Sequence, residues 1–530
     1  MPNHEGVSRE ELLKYGAAGA LSLGVLGLAA CGDDDKSDSG SGTEKVELPS
    51  KPTGTLRAGF IELGASGGVD PSKGLNPAAL AGNSGFAKQQ ALFDPLFEFE
   101  GGKPVMLLAE SVEGSADAKT WNVTLRDGIE FHDGKPLRPE DVIFSLNQFA
   151  GPTSPFSFLW GGAKFKKTGP RGVEIVLPAP ASTFLESHGF ASLIMPENWD
   201  PKKPTGGTGP YTLVSSGDIK SVFKANPNWW REGAGPYTET LEIINFKDEA
   251  ARLNALLADQ IDIIEAPPVS QVTTLESQSG FGTLIVPSEN GTMLVMNAAD
   301  KDAFADVRVR QAMRLVVDRK AMNDQIYGGK GTVGNDILNP NSPGYIGRDI
   351  PQREVDIEQA QSLLKTAGKE NLTVELSTAP IAAGATDMAE VMVEQAKAAG
   401  ITIKFKQIDP AQYFSPDAGY GTRPFQSEIM IGGLGYLANV AIQLVTGAFY
   451  NISAFSDKEF DGLYAQASAE TDVAKRNEII GQMQQIEHDR GTLLIPEFAP
   501  SVTAFNDKVK NHKKARNPMN DFQLNELVVS

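Results

Sequence analysis

The 530-residue chain contains a single cysteine, which excludes an intramolecular disulfide and any zinc site built from cysteines. Five histidines leave little material for metal catalysis. Positive charge is also short, with 48 Lys and Arg against 67 Asp and Glu and a net charge of −19. Such an acidic chain argues against nucleic acid or an anionic membrane surface as the main partner. Past Cys31 no apolar run approaches the roughly 20 residues of a membrane-spanning helix. The sequence has no His-Glu-x-x-His, no phosphate loop ending Gly-Lys-Ser/Thr, no Gly-x-Ser-x-Gly and no calcium-loop pattern. These absences argue against a cofactor, a metal site or a motif-borne nucleophile, and so against an enzyme. What remains is an ordinary globular balance of 41% hydrophobic and 22% charged residues, long enough for two to four structural units. The 54 glycines and 33 prolines imply many turns.

The N-terminal region is set apart from the fold. Arg9 and Lys14 precede an apolar run of small residues from Ala17 to Ala30. That run is too short to span a bilayer and reads as a signal peptide over residues 1–30. Leu28-Ala29-Ala30-Cys31-Gly32 resembles the bacterial lipobox, which implies a diacylated Cys31 as the mature N-terminus. The alternative is a buried structural cysteine. Ser8-Arg9-Glu10-Glu11-Leu12-Leu13-Lys14 resembles a twin-arginine motif with Glu10 in place of the second arginine, so the export route stays open. Residues 31–45 hold Asp33-Asp34-Asp35 and a Ser/Gly/Asp mixture. They read as a disordered tether spanning roughly 20 Å. The expected location is extracytoplasmic, held to the cell membrane by lipid.

The body alternates strand and helix patterns. Thr55 to Leu63 reads as a first strand, stopped by Gly64-Ala65-Ser66-Gly67-Gly68. Trp121, Val123 and Leu125 alternate with polar residues. Asp127-Gly128 and Asp133-Gly134 mark turns. Pro139-Glu140-Asp141 opens a helix reaching about Gln148. The pattern predicts a helix over Glu249 to Ala258 with Ala250, Leu253, Leu256 and Leu257 inward. It predicts another capped by Asp306, with Val309, Ala312, Met313 and Val316 inward and its end near Gly328-Gly329. Leu372–Ser377, then Thr386–Ala399 closed by Gly400, then alternating Ile401, Ile403 and Phe405 form a parallel βαβ unit.

The histidines His4, His132, His188, His488 and His512 are scattered. His132, in a turn, reads as structural, and His488, between Glu487 and Asp489, as part of a solvated face. Gly432-Gly433-Leu434-Gly435 lacks the strand-to-helix spacing of a nucleotide fingerprint and reads as a loop permitting close backbone approach.

Several segments carry a family resemblance. Trp121 to Ser145, WNVTLRDGIEFHDGKPLRPEDVIFS, resembles the signature of family 5 extracytoplasmic solute-binding proteins, the dipeptide- and oligopeptide-binding type of ABC importers. Further matching segments are Pro104–Ser111, Gly207-Thr-Gly-Pro-Tyr211, Ala225–Trp230, Asp259–Asp262, Asp306–Ala312, Asp318-Arg-Lys, Asn451 and Phe460-Asp461. Arg138 departs from the pattern by replacing a helix-capping threonine, which should cost about 1 kcal/mol locally. Most motif residues read as scaffold. Trp121, Phe131, Val142, Trp229 and Trp230 are assigned to core, and Arg308 and Arg310 to structural ion pairs.

The resemblance implies an α/β, two-lobed periplasmic-binding-protein-like fold of type II, with a small subdomain in the first lobe and an interlobe ligand cleft. The first lobe is expected over 46–287 plus 498–530, with the subdomain about 90–165, and the second over 288–497. The two crossings, near Pro287-Ser288 and Pro496-Glu497, suit a closing hinge. In open α/β sheets ligands sit at the carboxyl ends of strands, which nominates Ser66, Thr378 and the residues after Gln407. Loop aromatics and amides add Asn83, Ser84, Trp160, Tyr436, Asn439, Phe449, Tyr450 and Asn451. Each of these also reads as ordinary loop packing.

The expected function is a monomeric receptor that binds a peptide and delivers it to an ABC permease without chemistry of its own. Peptide-binding relatives hold the α-amine with an aspartate, often after a tryptophan, on the segment here running Gly432 to Asn451. This chain has no acid and no tryptophan there. Either Asp409 or Glu428 takes that role, or the ligand is a capped peptide, a glycoside, an opine-like compound or a metal chelate. A secreted hydrolase and an adhesive surface lipoprotein are the rivals from other classes.

Overall fold

Leu56, Ala58 and Phe60 are buried along Thr55–Ile61 at every second position, with Gly59 buried between the last two, and that period sets the first strand. It lies at the heart of a seven-stranded sheet. It pairs in parallel with Thr240–Phe246 on one side and Ile263–Glu265 on the other. The order across the sheet is Phe281–Val286, Ser501–Asn506, Ile263–Glu265, Thr55–Ile61, Thr240–Phe246, Lys220–Ala225, Tyr211–Ser215. The computed structural model describes residues 46–61, 74–79, 82–100, 102–204, 206–301, 303–410, 412–430, 432–512 and 522–530. The leader, Cys31, the tether and Ser66 with its glycine-rich turn lie outside them.

A second sheet of five strands runs Thr402–Gln407, Thr373–Thr378, Phe425–Met430, Gly291–Met296, Leu493–Leu494. The expected βαβ unit stands at its edge. Thr373–Thr378 and Thr402–Gln407 pair in parallel in register Thr373↔Thr402, with helix Ala385–Ala396 between them and Gly400 closing at φ +79°. The chain leaves the first sheet at Val286 and enters the second at Gly291. It returns between Leu494 and Ser501.

A smaller antiparallel sheet holds Ala109–Gly114, Thr120–Leu125, Gly172–Val176 and Lys164–Lys167. Its last strand ends at Val176, past the 165 expected for the subdomain. Trp121 stacks on Phe184 at 4.5 Å between ring centroids, which ties this sheet to the following segment. Helix Pro139–Ala150 starts as the proline and acids require. Asp141 supplies the reciprocal half of the cap by accepting the Arg138 backbone N–H at 2.8 Å.

Three local expectations are corrected. The Asp306 helix does not run on to Gly328. It ends at Leu315, and Asp318 caps a second helix, Arg319–Tyr327, through the Ala321 amide. A side chain that can cap the backbone favours a new start over continuation. Arg308 does pair with Asp306 at 2.6 Å, but Arg310 donates to the carbonyls of Gly491, Phe304, Ala305 and Arg490 instead of a carboxylate. Helix Glu249–Leu257 buries Arg252, Ala255 and Leu256 and leaves Ala250 exposed. Arg252 turns the buried face because its guanidinium finds Glu249 at 2.6 Å.

Candidate functional site

The carboxyl ends of the parallel strands define where a solute can be held. In the first lobe, Glu265 ends Ile263–Glu265 beside Thr55–Ile61, and Asn83 opens helix Asn83–Leu92. Asn83 Nδ2 donates to Glu265 Oε1 at 3.1 Å. The second carboxylate oxygen of Glu265 accepts no hydrogen bond from the described residues. Burial pushes this carboxyl up to about 8, against the pull of Arg252 and Asn83.

Four more carboxyls with raised pKa values lie in the second lobe or at its junctions with the first, Glu289 and Glu497 buried and Glu186 and Glu428 half-buried. Glu289, on the first crossing, accepts the amides of Asn341 at 2.8 Å and Gly433 at 3.0 Å. Burial raises its pKa. Glu186, on the short helix Phe184–Ser187 of the first lobe, accepts the Ser342 hydroxyl at 3.2 Å. Burial, with Glu289 adding repulsion, takes it to about 7. Glu428 is taken to about 7 by burial, and it accepts the Tyr420 hydroxyl at 2.6 Å. Glu497, on the second crossing, is 0% exposed, and neither of its oxygens has a hydrogen-bond partner among the described residues. Burial alone moves it to about 8. None of the five carboxylates forms an ion pair with a described residue.

The glycine loop behaves as its composition implied. Gly433 and Gly435 have φ of +78° and +75°. A Cβ on Gly435 would sit 2.3 Å from Glu186 Oε1, so only glycine lets the first-lobe carboxyl approach the second-lobe loop. Around it, Glu186, Phe99, Glu289, Ser342, Gly433 and Gly435 line a cavity of about 30 Å³ between the lobes.

The structure spreads the nominated residues across different surroundings. Trp160 is a core residue, 0% exposed, its indole N–H donated to the Ala191 carbonyl at 2.9 Å. The aromatic that loop composition suggested for the cleft is therefore used to pack the subdomain, edge-on to Phe184 and His188. Thr378 is buried, accepting from Ser427 Oγ and donating to the Ala385 carbonyl. Tyr436 is buried with its hydroxyl on Glu487 at 3.0 Å. Asn439 is buried and joined to Asn339 at 2.9 Å. Asn451 spends its amide on the carbonyls of Leu444, Val445 and Phe455. These five tie their own lobes together, because loops need internal hydrogen bonds as much as ligands do. Ser84 is buried, whereas Asn83, Phe449 and Tyr450 keep partial exposure. Phe449 meets Tyr450 edge to face at 4.8 Å. Asp409 is exposed.

His132 Nε2 lies 2.9 Å from the Gly209 carbonyl, which is a structural role. His488 is less solvated than expected, its side chain 12% exposed and paired with Asp489. The residues that sequence reasoning missed are Glu186, Glu265, Glu289 and Glu497. For Glu497 a signal existed, since Leu493–Phe498 places one glutamate inside an otherwise apolar run. A carboxylate in such a position must find a partner, a proton or a ligand.

Among the described residues no helix is long and apolar enough to cross a membrane, and no group of three or more His, Cys, Asp or Glu could hold a metal. The model of the bacterial extracellular solute-binding proteins, family 5 Middle, matches residues 103–427. A dipeptide-binding protein of Escherichia coli (strain K12) is 26% identical over 490 residues, covering 83% of this chain and 90% of that protein. Heme-binding protein A of Haemophilus influenzae is 26% identical over 546 residues, covering 94% and 97%. A putative peptide-binding protein from Clostridium difficile superposes with a TM-score of 0.78 at 21% identity, over 90% of this chain and all of that one. The sheets, the two crossings and these likenesses agree: the chain is a two-lobed member of the bacterial extracellular solute-binding proteins of family 5.

Proposed function

We propose that this protein is a lipid-anchored receptor that captures a peptide outside the cytoplasm and hands it to an ABC permease. The observation that carries the peptide reading is Glu265. It is a buried carboxylate at the carboxyl end of a parallel strand, oriented by Asn83 at 3.1 Å, with one oxygen left over. A peptide's α-ammonium supplies the charge and the donor that this oxygen lacks. A buried ammonium without a counter-charge is strongly unfavourable, and the Gly432–Asn451 segment has no acid to provide one. Relatives named for dipeptides and for heme keep a non-peptide solute as the second reading. Lobe I comprises 46–287 with 498–530, and lobe II comprises 288–497. The switch of strands between the two sheets at 286–291 and 494–501 supports that division.

Titration with free-amine dipeptides and their N-acetylated copies tests this. Tighter binding of the free amines is expected, lost in Glu265→Gln. Equal binding of both sets would remove the peptide-amine reading. For the anchor, Cys31→Ser should release the protein from the membrane fraction or leave it unprocessed, since each buried CH₂ contributes roughly 0.8 kcal/mol. Normal processing and retention of that variant would defeat the lipid assignment.

A further inference from the structure

The lobes are joined by the Lys330–Glu276 ion pair at 3.4 Å and by two further kinds of bond. Ser182 makes one kind: its amide donates to the Ser468 carbonyl at 2.9 Å and its hydroxyl to the Ala467 carbonyl at 2.7 Å. Neither bond contains a titratable group. The other kind is built on carboxyls. Glu186 reaches from the first lobe to Ser342, whose hydroxyl also accepts the Tyr436 amide at 3.0 Å. On the far side of the same cavity Glu289 is fixed by the amides of Asn341 and Gly433. The glycines at 433 and 435 bring the loop close enough for both carboxyls to line one small pocket.

We propose that Glu186 and Glu289 form a proton-dependent latch, in which the lobes close with Glu186 protonated opposite Glu289 and open when that proton leaves.

The argument is electrostatic. Glu289 accepts two backbone amides, which suits a carboxylate. Glu186 accepts one hydroxyl and sits in the same water-sized space. Two charges in this partly desolvated pocket repel. Opening the lobes hydrates Glu186 and removes that repulsion. The other groups facing the pair do not cancel it. Arg476, from helix Val473–Arg490, attracts Glu186 but donates to the carbonyls of Ser182 and Glu470. His188 adjoins Glu186 on its own segment, and burial takes it down to about 4, so it is neutral near pH 7. The Tyr345 phenol near Glu289 is pushed up by burial and stays neutral.

The sign follows from linkage. With the lobes placed as they are, burial and Glu289 take Glu186 from its ordinary 4.5 to about 7, and the raised value belongs to the state in which these contacts are made. Closure is therefore most favourable below the ordinary value and weakens as pH rises through the raised one. Between about pH 5 and 7 the closed-to-open ratio should fall by up to about tenfold per pH unit, then level off.

The test uses the ligand-free mature protein, so that its outcome does not depend on the peptide reading. Small-angle scattering and a fluorophore pair across the lobes follow closure from pH 5 to 8.5. The radius of gyration should grow over that range. Glu186→Gln should stay compact throughout. Gly435→Ala, whose Cβ would meet Glu186 Oε1, should stay open throughout, with circular dichroism verifying that it is folded. A wild-type protein whose compaction ignores pH, or a Glu186→Gln variant that keeps the wild-type profile, overturns the latch.

Discussion

Asp336 and Glu497 are both 0% exposed, and the Ile495 amide that donates to Asp336 Oδ1 lies two residues before Glu497. Their chemistry is opposite. Asp336 is surrounded by Arg319 at 2.7 Å, Arg353 at 3.0 Å and Arg314 at 3.7 Å. Burial opposes its charge, but the three guanidiniums outweigh burial and hold the carboxyl down at about 2. The Glu497 carboxyl has no partner among the described residues, and burial moves it up to about 8. Depth alone therefore does not decide whether a carboxyl in this protein is charged. The surrounding donors decide it. The Asp336 knot joins Arg314, Arg319 and Arg353 within the second lobe. The carboxyls at and near the crossings between lobes are left without such partners, where a proton or a solute can take that place.

The largest test of this contrast is Asp336→Asn. It leaves three buried or partly buried guanidiniums without their shared counter-charge and should cost about 3–5 kcal/mol in urea unfolding. The wild-type contribution is present above the ordinary carboxylate pKa and is lost as pH falls through about 2. The variant should therefore show a flatter stability profile below pH 4. A loss under 1 kcal/mol would mean that the knot is not a charged one.

Glu497→Gln should behave in the reverse sense. The raised pKa makes the wild-type carboxyl a cost that appears as pH rises from 4.5 through about 8. At pH 5 the variant should match the wild type or fall slightly below it, since a buried amide also lacks partners. At pH 8.5 it should be more stable by about 1–3 kcal/mol. Parallel pH profiles for the two proteins would place a partner on Glu497.

Arg353→Lys is the smallest of the three. Arg353 also donates to the His488 carbonyl at 2.7 Å and is 12% exposed on its side chain. Lysine keeps the charge and loses the fork, for an expected cost of about 1–2 kcal/mol by chemical denaturation. A cost equal to that of Asp336→Asn would show that the geometry of the fork, not the charge, holds the knot.

Much of the scaffold was legible because strand and helix patterns are local. Trp121, Val123 and Leu125 are buried as their alternation required, and Asp306 caps its helix at 2.8 Å. The helix after it was read too long, because Val316-Val317 continues the apolar pattern while Asp318 restarts the backbone ladder. Site residues were harder. Trp160, Tyr436, Asn439 and Asn451 have the side chains a ligand pocket uses, and the fold spends those side chains on its own core and loops. Side-chain chemistry is the same in both settings, so composition could not separate them.

By itself the sequence determined the lipobox-like stretch ending at Cys31, most of the order of strands and helices, the signature from Trp121 to Ser145 and the glycines at 433 and 435. These are local properties, set by hydrophobic period, by turn residues and by a short motif. Only the tertiary structure decided which of the 67 acids are buried, that Glu186 faces Glu289 across a cavity and that Asn83 holds Glu265. Those pairs join residues roughly one hundred to two hundred positions apart, and their chemistry depends on desolvation. Desolvation is a property of the packed molecule, and no window of sequence contains it.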